Sequence, residues 1–249
     1  TPLKDRIGTE IQTHYPRSVE EGMEITAQEA WVERGGRSIE IPSVIAELVE
    51  RTAFLAREDK RIDRRSGVSQ RMPITMMETA ISNAERRAET VAEESIVPRV
   101  VDVYAALPAI TGKIELEYEG ELQGAEKIAR DLIAAAAREI FDQHWEVESL
   151  TDIVEYFDRG GVLQMSDSAG SEGSWQALSA VPGLEEALRD SPLHPQPSAA
   201  ASVAVGELIL EGLAAHRLIS RGESAVYTRA RMERRGKSGP GNFPYGLEL

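Results

Sequence analysis

The stretch RSGVSQRMPI, residues 65–74, sets a glycine-led turn against an apolar helix and places Arg71 in that helix's first turn. The start of a helix carries partial positive charge, so a cation there is disfavoured unless an anion relieves both. A phosphate suits that role, because a planar guanidinium binds it bidentately. The residue singled out for this chemistry is Arg71.

Other chemistry finds less support. A phosphate loop is suggested by Gly236-Lys237-Ser238, but the glycine required five residues earlier is replaced by Arg231. The Thr111-Gly112-Lys113 stretch also lacks its earlier glycine. The four histidines, at 14, 144, 194 and 216, are scattered and make no pair at metal-ligand spacing, so no metal ligand is assigned. Adjacent acids such as Glu93 with Glu94, and Glu185 with Glu186, read as solvated helix faces.

Twenty-eight basic and 42 acidic side chains give a net charge of −14, which argues against a general duplex-DNA binder. The C-terminal end runs the other way: Arg217 to Lys237 holds seven basic residues against Glu223 and Glu233. With no cysteine, disulfides and thiolate chemistry are excluded and a cytoplasmic setting is expected. No apolar run approaches the roughly 20 residues of a membrane span.

Positioning the candidate residues falls to a series of helices. Residues 1–17 read as a turn followed by an extended segment in which Ile7, Thr9, Ile11 and Thr13 alternate, ended by Pro16. Ser18 and Glu21 have capping-box spacing before a helix over 19–32, with Val19, Met23, Ala27, Ala30 and Trp31 on its apolar side. A second helix spans 43–60. A third, near 70–92, buries Met72, Met76, Met77, Ala80, Ile81, Ala84 and Ala88 and turns Glu85, Arg86 and Arg87 to water.

Further on, a short helix over 98–107 leads to a half-buried strand at Ile114, Leu116 and Tyr118. A long helix over 122–144 follows, then helices at 149–158, 174–189 and 198–215. Two strands, VLQMS and AVYTRAR, are expected to pair.

GVSQRMPITMMETAISNAERRA resembles the sensor-2 helix of the MoxR and magnesium-chelatase branch of AAA+ ATPases, where Gly, a small residue, Ser, any residue and Arg precede an alanine-rich helix. PLKDRIGTEIQTHYP resembles the earlier segment of that family, through Asp5, Arg6, Tyr15 and Pro16, with Ile7 where an aromatic is commoner. The resemblance covers about residues 1–90. It implies that Arg71, with Ser69 and Gly67, meets the ATP phosphates of its own subunit. Arg6 would serve as the catalytic arginine finger toward a neighbour in a homo-oligomeric ring.

The phosphate loop, Walker-B acid and sensor-1 residue of the family belong upstream of Thr1, so ATP and Mg²⁺ enter through that core and this chain alone is expected to be inactive. The implied partner carries a von Willebrand factor A domain that the ATPase remodels or loads with metal. Metal insertion into a porphyrin is less favoured, since nothing in the sequence reads a tetrapyrrole.

The expected fold is mainly α: an AAA+ helical lid, then a helical extension with a small mixed α/β unit, for which a winged-helix-like arrangement is one option. The divisions are 1–17, end of the core; 18–93, lid; 94–147, helical extension with a short strand; 148–237, helical and mixed unit; and 238–249, flexible tail. The alternative is a helical regulatory module that contacts nucleic acid through the basic segment 217–237.

Overall fold

The computed structural model describes residues 6–34, 36–189, 191–193, 198–222 and 224–230. Within them the chain is mainly helical, with two small open sheets. No helix is long and apolar enough to cross a membrane among these residues. The tail after Ala230, with four of the seven basic residues of segment 217–237, and His194 lie outside them.

Residues 7–17 are exposed and pair with no strand, so the alternating isoleucines remain on the surface, Ile7 at 53% and Ile11 at 81% exposure. Ser18 then caps α1 (Val19–Glu29) by accepting from the Glu21 N–H at 3.2 Å. The Glu21 carboxylate reaches back to the Arg17 N–H at 2.6 Å, one residue earlier than a standard capping box. The helix stops at Glu29, short of the expected 32, and its buried face differs from the expected one. Gly22, Thr26 and Ala30 are buried, whereas Ala27 and Trp31 are exposed. The small, polar face is turned inward because it covers a buried carboxylate on the next helix.

That helix is α2 (Ser43–Glu58), followed by α3 (Arg71–Val91). Both keep the apolar stripes expected of them. Arg87 is the exception on α3. Expected to face water, it is 2% exposed, with Nη1 2.6 Å from Asp102 Oδ1 and Nη2 donating to the Val97 carbonyl at 2.8 Å. Beside these helices, β1 (Ser38–Ile39) pairs in parallel with β2 (Ser95–Ile96).

The 98–107 helix is two pieces, α4 (Val100–Ala105) and α5 (Leu107–Thr111). The expected strand at 114–118 does not form. Leu116 makes one isolated bridge to Ile62, and Tyr118 opens a helix, α6 (Tyr118–Gln123), with 74% exposure. Four glutamates around a single short bridge are better solvated on a helix than along a strand. The alanine-rich α7 (Ala125–His144) buries its expected face from Ile128 to Phe141.

The C-terminal part holds α8 (Thr151–Asp158), β3 (Leu163–Gln164), α9 (Ser171–Ser179), α10 (Leu184–Arg189), α11 (Ala199–Ala215), β4 (Ile219–Arg221) and β5 (Val226–Arg229). The helix expected over 174–189 is divided between α9 and α10 at Gly183, whose φ of +83° no helix accommodates. The strands pair in the order β3-β5-β4, all antiparallel, so the expected pairing of 163–164 with 226–227 is present. Glu93 also departs from expectation: half-buried, it accepts from the Ser171 N–H at the start of α9.

Helix α11 is apolar on every side, and every residue from Ser202 to Leu213 is buried, against α7, α9, α2 and α4. Its two glutamates meet polar groups inside the fold, although Glu207 Oε1 makes no hydrogen bond. Glu207 accepts from the Val101 N–H at 3.0 Å and sits 3.7 Å from Arg99. Glu211 receives the hydroxyls of Tyr104 at 3.0 Å and Tyr227 at 2.6 Å, and it pairs with Arg221.

Candidate functional site

The loop between α2 and α3 is built from its own polar side chains. Asp63 accepts from the Arg65 N–H at 2.8 Å and the Ser66 hydroxyl at 3.1 Å, and its carbonyl takes the Gly67 N–H at 3.2 Å. Gly67 sits at φ +67°, which disfavours any side chain, with the Tyr15 hydroxyl 2.5 Å from where a Cβ would stand, so the exposed Tyr15 ring would have to move aside for one. This contact joins the two segments on which the sequence resemblance rests. Arg61 fastens the loop to α7 through Asp131 at 2.9 Å while chelating Asp59.

Of the predicted site residues, Gly67, Ser69 and Arg71 lie together at the beginning of α3. Ser69 and Arg71 are exposed. The Arg71 guanidinium makes no hydrogen bond or ion pair with any described residue. The residue at the cap position, Gln70, offers no side-chain cap to the helix. At the start of this 21-residue helix the Met72 N–H already donates to the Ser69 carbonyl at 3.0 Å and Pro73 carries no N–H, so it is the unpaired cation of Arg71 that suits an anion. Arg6 is exposed, and no hydrogen bond or ion pair links it to residues 67–71 among the described residues.

Sequence reasoning missed what lies beneath. Glu50, midway along α2, is completely buried. Its carboxylate accepts from Gln70 Nε2 at 3.0 and 2.9 Å and from the Thr26 hydroxyl at 3.1 Å. Gln70 Nε2 also lies 3.2 Å from Thr26 Oγ1 and 3.3 Å from the Gly22 carbonyl. Its amide oxygen accepts from Arg57 Nη2 at 2.8 Å.

Arg57 lies between the rings of Tyr15 and Phe54, at 4.8 and 5.0 Å from their centroids, and donates to the Val68 carbonyl at 3.1 Å. Burial pushes the Glu50 carboxyl above its ordinary range, opposed by the hydrogen bonds from Gln70 and Thr26 and by the Arg57 charge. Burial likewise lowers the Arg57 guanidinium, with Glu50 pulling the other way. A signal for this cluster was present in the sequence: a glutamate within the Val44–Ala56 apolar stripe and a glycine in the middle of α1. A Cβ on Gly22 would stand 2.3 Å from Glu50 Oε1, so the glycine makes room for the acid.

Behind Gly67 a cavity of about 290 Å³ is lined by Tyr15, Arg57, Asp63 and Val68. A wider groove of about 1060 Å³ runs past Tyr104, Arg130 and Arg221 at the β4 edge, far along the chain from Arg71. Among the described residues, no group of three or more His, Cys, Asp or Glu side chains is arranged to hold a metal ion. No family model, curated protein or solved structure matches this chain.

Proposed function

We propose that this chain is the lid and C-terminal extension of an AAA+ ATPase of the MoxR and magnesium-chelatase branch, in which Arg71 meets the phosphates of bound ATP. The observation that carries the reading is a guanidinium without a partner among the described residues, at the uncapped start of a long helix whose foot is buried and clamped. Charge, exposure and the helix dipole all favour an anion at one place. Contact between Tyr15 and Gly67 gives further support, since it brings the two resembling segments side by side.

The chemistry falls to electrostatics rather than to proton transfer. When ATP binds against the core upstream of Thr1, with Mg²⁺ held there, the phosphates present the negative charge that Arg71 neutralises. Ser69 adds an exposed hydroxyl beside it. Arg6 would act on the nucleotide of an adjoining subunit in a ring, where an arginine finger contributes about 10³- to 10⁵-fold in rate. Motion of the lid against the extension would then remodel a partner bearing a von Willebrand factor A domain, or load its metal. Nucleic-acid contact is less favoured, because α11, the helix preceding the β4–β5 hairpin, has no exposed face from Ser202 to Leu213.

The test uses the protein with the residues encoded before Thr1. Arg71→Ala should weaken ATP binding and turnover, and Arg6→Ala should abolish turnover while leaving binding intact. Equal ATP affinity and turnover in parent and Arg71→Ala would remove the reading.

A further inference from the structure

We propose that Gln70 is a positioning residue that anchors the start of α3 and so holds Arg71 ready for an anion; this rests on the reading that Arg71 meets a nucleotide phosphate. Most helices begin with Ser, Thr, Asp or Asn, whose short side chain folds back onto the first free amides. Here such a cap would find little to bond, since the Met72 N–H already donates to the Ser69 carbonyl at 3.0 Å and Pro73 has no N–H. Gln70 instead adopts helical backbone angles, φ −61° and ψ −12°, and sends its longer side chain down into the protein.

There it is held by two helices, α1 and α2. Its amide nitrogen faces both Glu50 oxygens on α2 and Thr26 Oγ1 and the Gly22 carbonyl on α1, while its oxygen takes the Arg57 proton. Arg57 also holds the Val68 carbonyl two residues earlier. The backbone immediately before Arg71 is thus fixed on both sides of Ser69. A fixed anchor lowers the ordering cost of the arginine on binding, which is how a supporting shell adds affinity without touching the ligand.

The experiment is a double-mutant cycle on the protein that includes the upstream core, titrated with a non-hydrolysable ATP analogue, with thermal melting of every variant alongside. Gln70→Ala should weaken binding about tenfold when Arg71 is present and less than about twofold in the Arg71→Ala background, a hydrogen-bond-sized loss felt only through Arg71. Thr26→Val, which removes one Glu50 partner at constant shape, should give a smaller loss of the same kind and serves if Gln70→Ala fails to fold. An equal loss from Gln70→Ala with and without Arg71 would mean a purely structural role and overturn the inference. So would unchanged affinity in both Gln70→Ala and Thr26→Val while Arg71→Ala is weakened. If Arg71→Ala itself binds like the parent, the nucleotide reading fails first.

Discussion

Helix α3 carries an arginine near each end, and their fates are opposite. Arg71 is exposed and unpaired among the described residues, whereas Arg87, sixteen positions along, is 2% exposed and locked to Asp102 and the Val97 carbonyl. The environment differs for a simple reason. Arg71 stands on the exposed side of a first turn whose Met72 and Pro73 are buried, while Arg87 lies on the buried side of α3, which packs on α4. A buried guanidinium must be neutralised inside the protein, and its bonds are then spent on the fold. An exposed one at a helix start has its electrostatic demand unmet, which leaves it free for a ligand. Chemical type alone therefore says little about an arginine; the useful question is which charge it already faces.

The contrast extends to the acids beneath. Glu50 supports the Arg71 end through neutral donors, Gln70 and Thr26, with Arg57 Nη1 at 3.9 Å. Glu207 stands in a group of stronger charges formed by Arg99, Asp102 and Arg87. It joins α11 to α4.

The sharpest way to break the comparison is to remove each arginine and measure stability by urea unfolding. Arg87→Ala leaves Asp102 buried without its charge partner and should cost about 3–5 kcal/mol. A loss below about 1 kcal/mol there, the size of a surface ion pair, would mean that the buried and exposed ends do not differ as described.

Next in size is a pH effect at the buried end. Burial raises Glu207 from its ordinary 4.5 to about 7, with the Arg99 charge opposing. Because the folded protein then holds a proton that the unfolded chain has released, stability is greatest below about pH 4.5 for this group and falls as pH rises toward 7. Glu207→Gln should flatten that slope and add up to about 3 kcal/mol at pH 8 relative to the parent. Identical pH profiles from 4.5 to 8 in the two proteins would refute the assignment.

Smallest is the effect of Arg71→Ala on folding, expected to stay within about 0.5 kcal/mol, as for an ordinary surface change. Its signature belongs to nucleotide affinity instead. A stability loss comparable to that of Arg87→Ala would show that Arg71 serves the fold and would end its candidacy for the ligand.

Much of the framework was legible before any coordinates. Apolar periodicity placed α2, α3 and α7, because each meets its neighbours along a continuous stripe. Ser18 announced the start of α1, and the pairing of 163–164 with 226–227 followed from two short strand patterns. The alternation at Ile114, Leu116 and Tyr118 misled, since three alternating residues do not supply a partner strand. Arg71 was legible as a cation at the start of α3 through its place in the first turn. Gln70, Glu50 and Arg57 were not, because their roles depend on one another across 13 to 20 residues.

By itself the sequence determined that the long segments α2, α3 and α7 become helices and which cation stands at the start of α3, since both follow from neighbours within a turn or two of the chain. Only the tertiary structure decided that Arg87 is buried, that Glu50 lies under Gln70, and that α11 is covered on all sides. Those outcomes depend on which distant groups supply hydrogen bonds and countercharge once water is excluded, and no local pattern encodes that pairing.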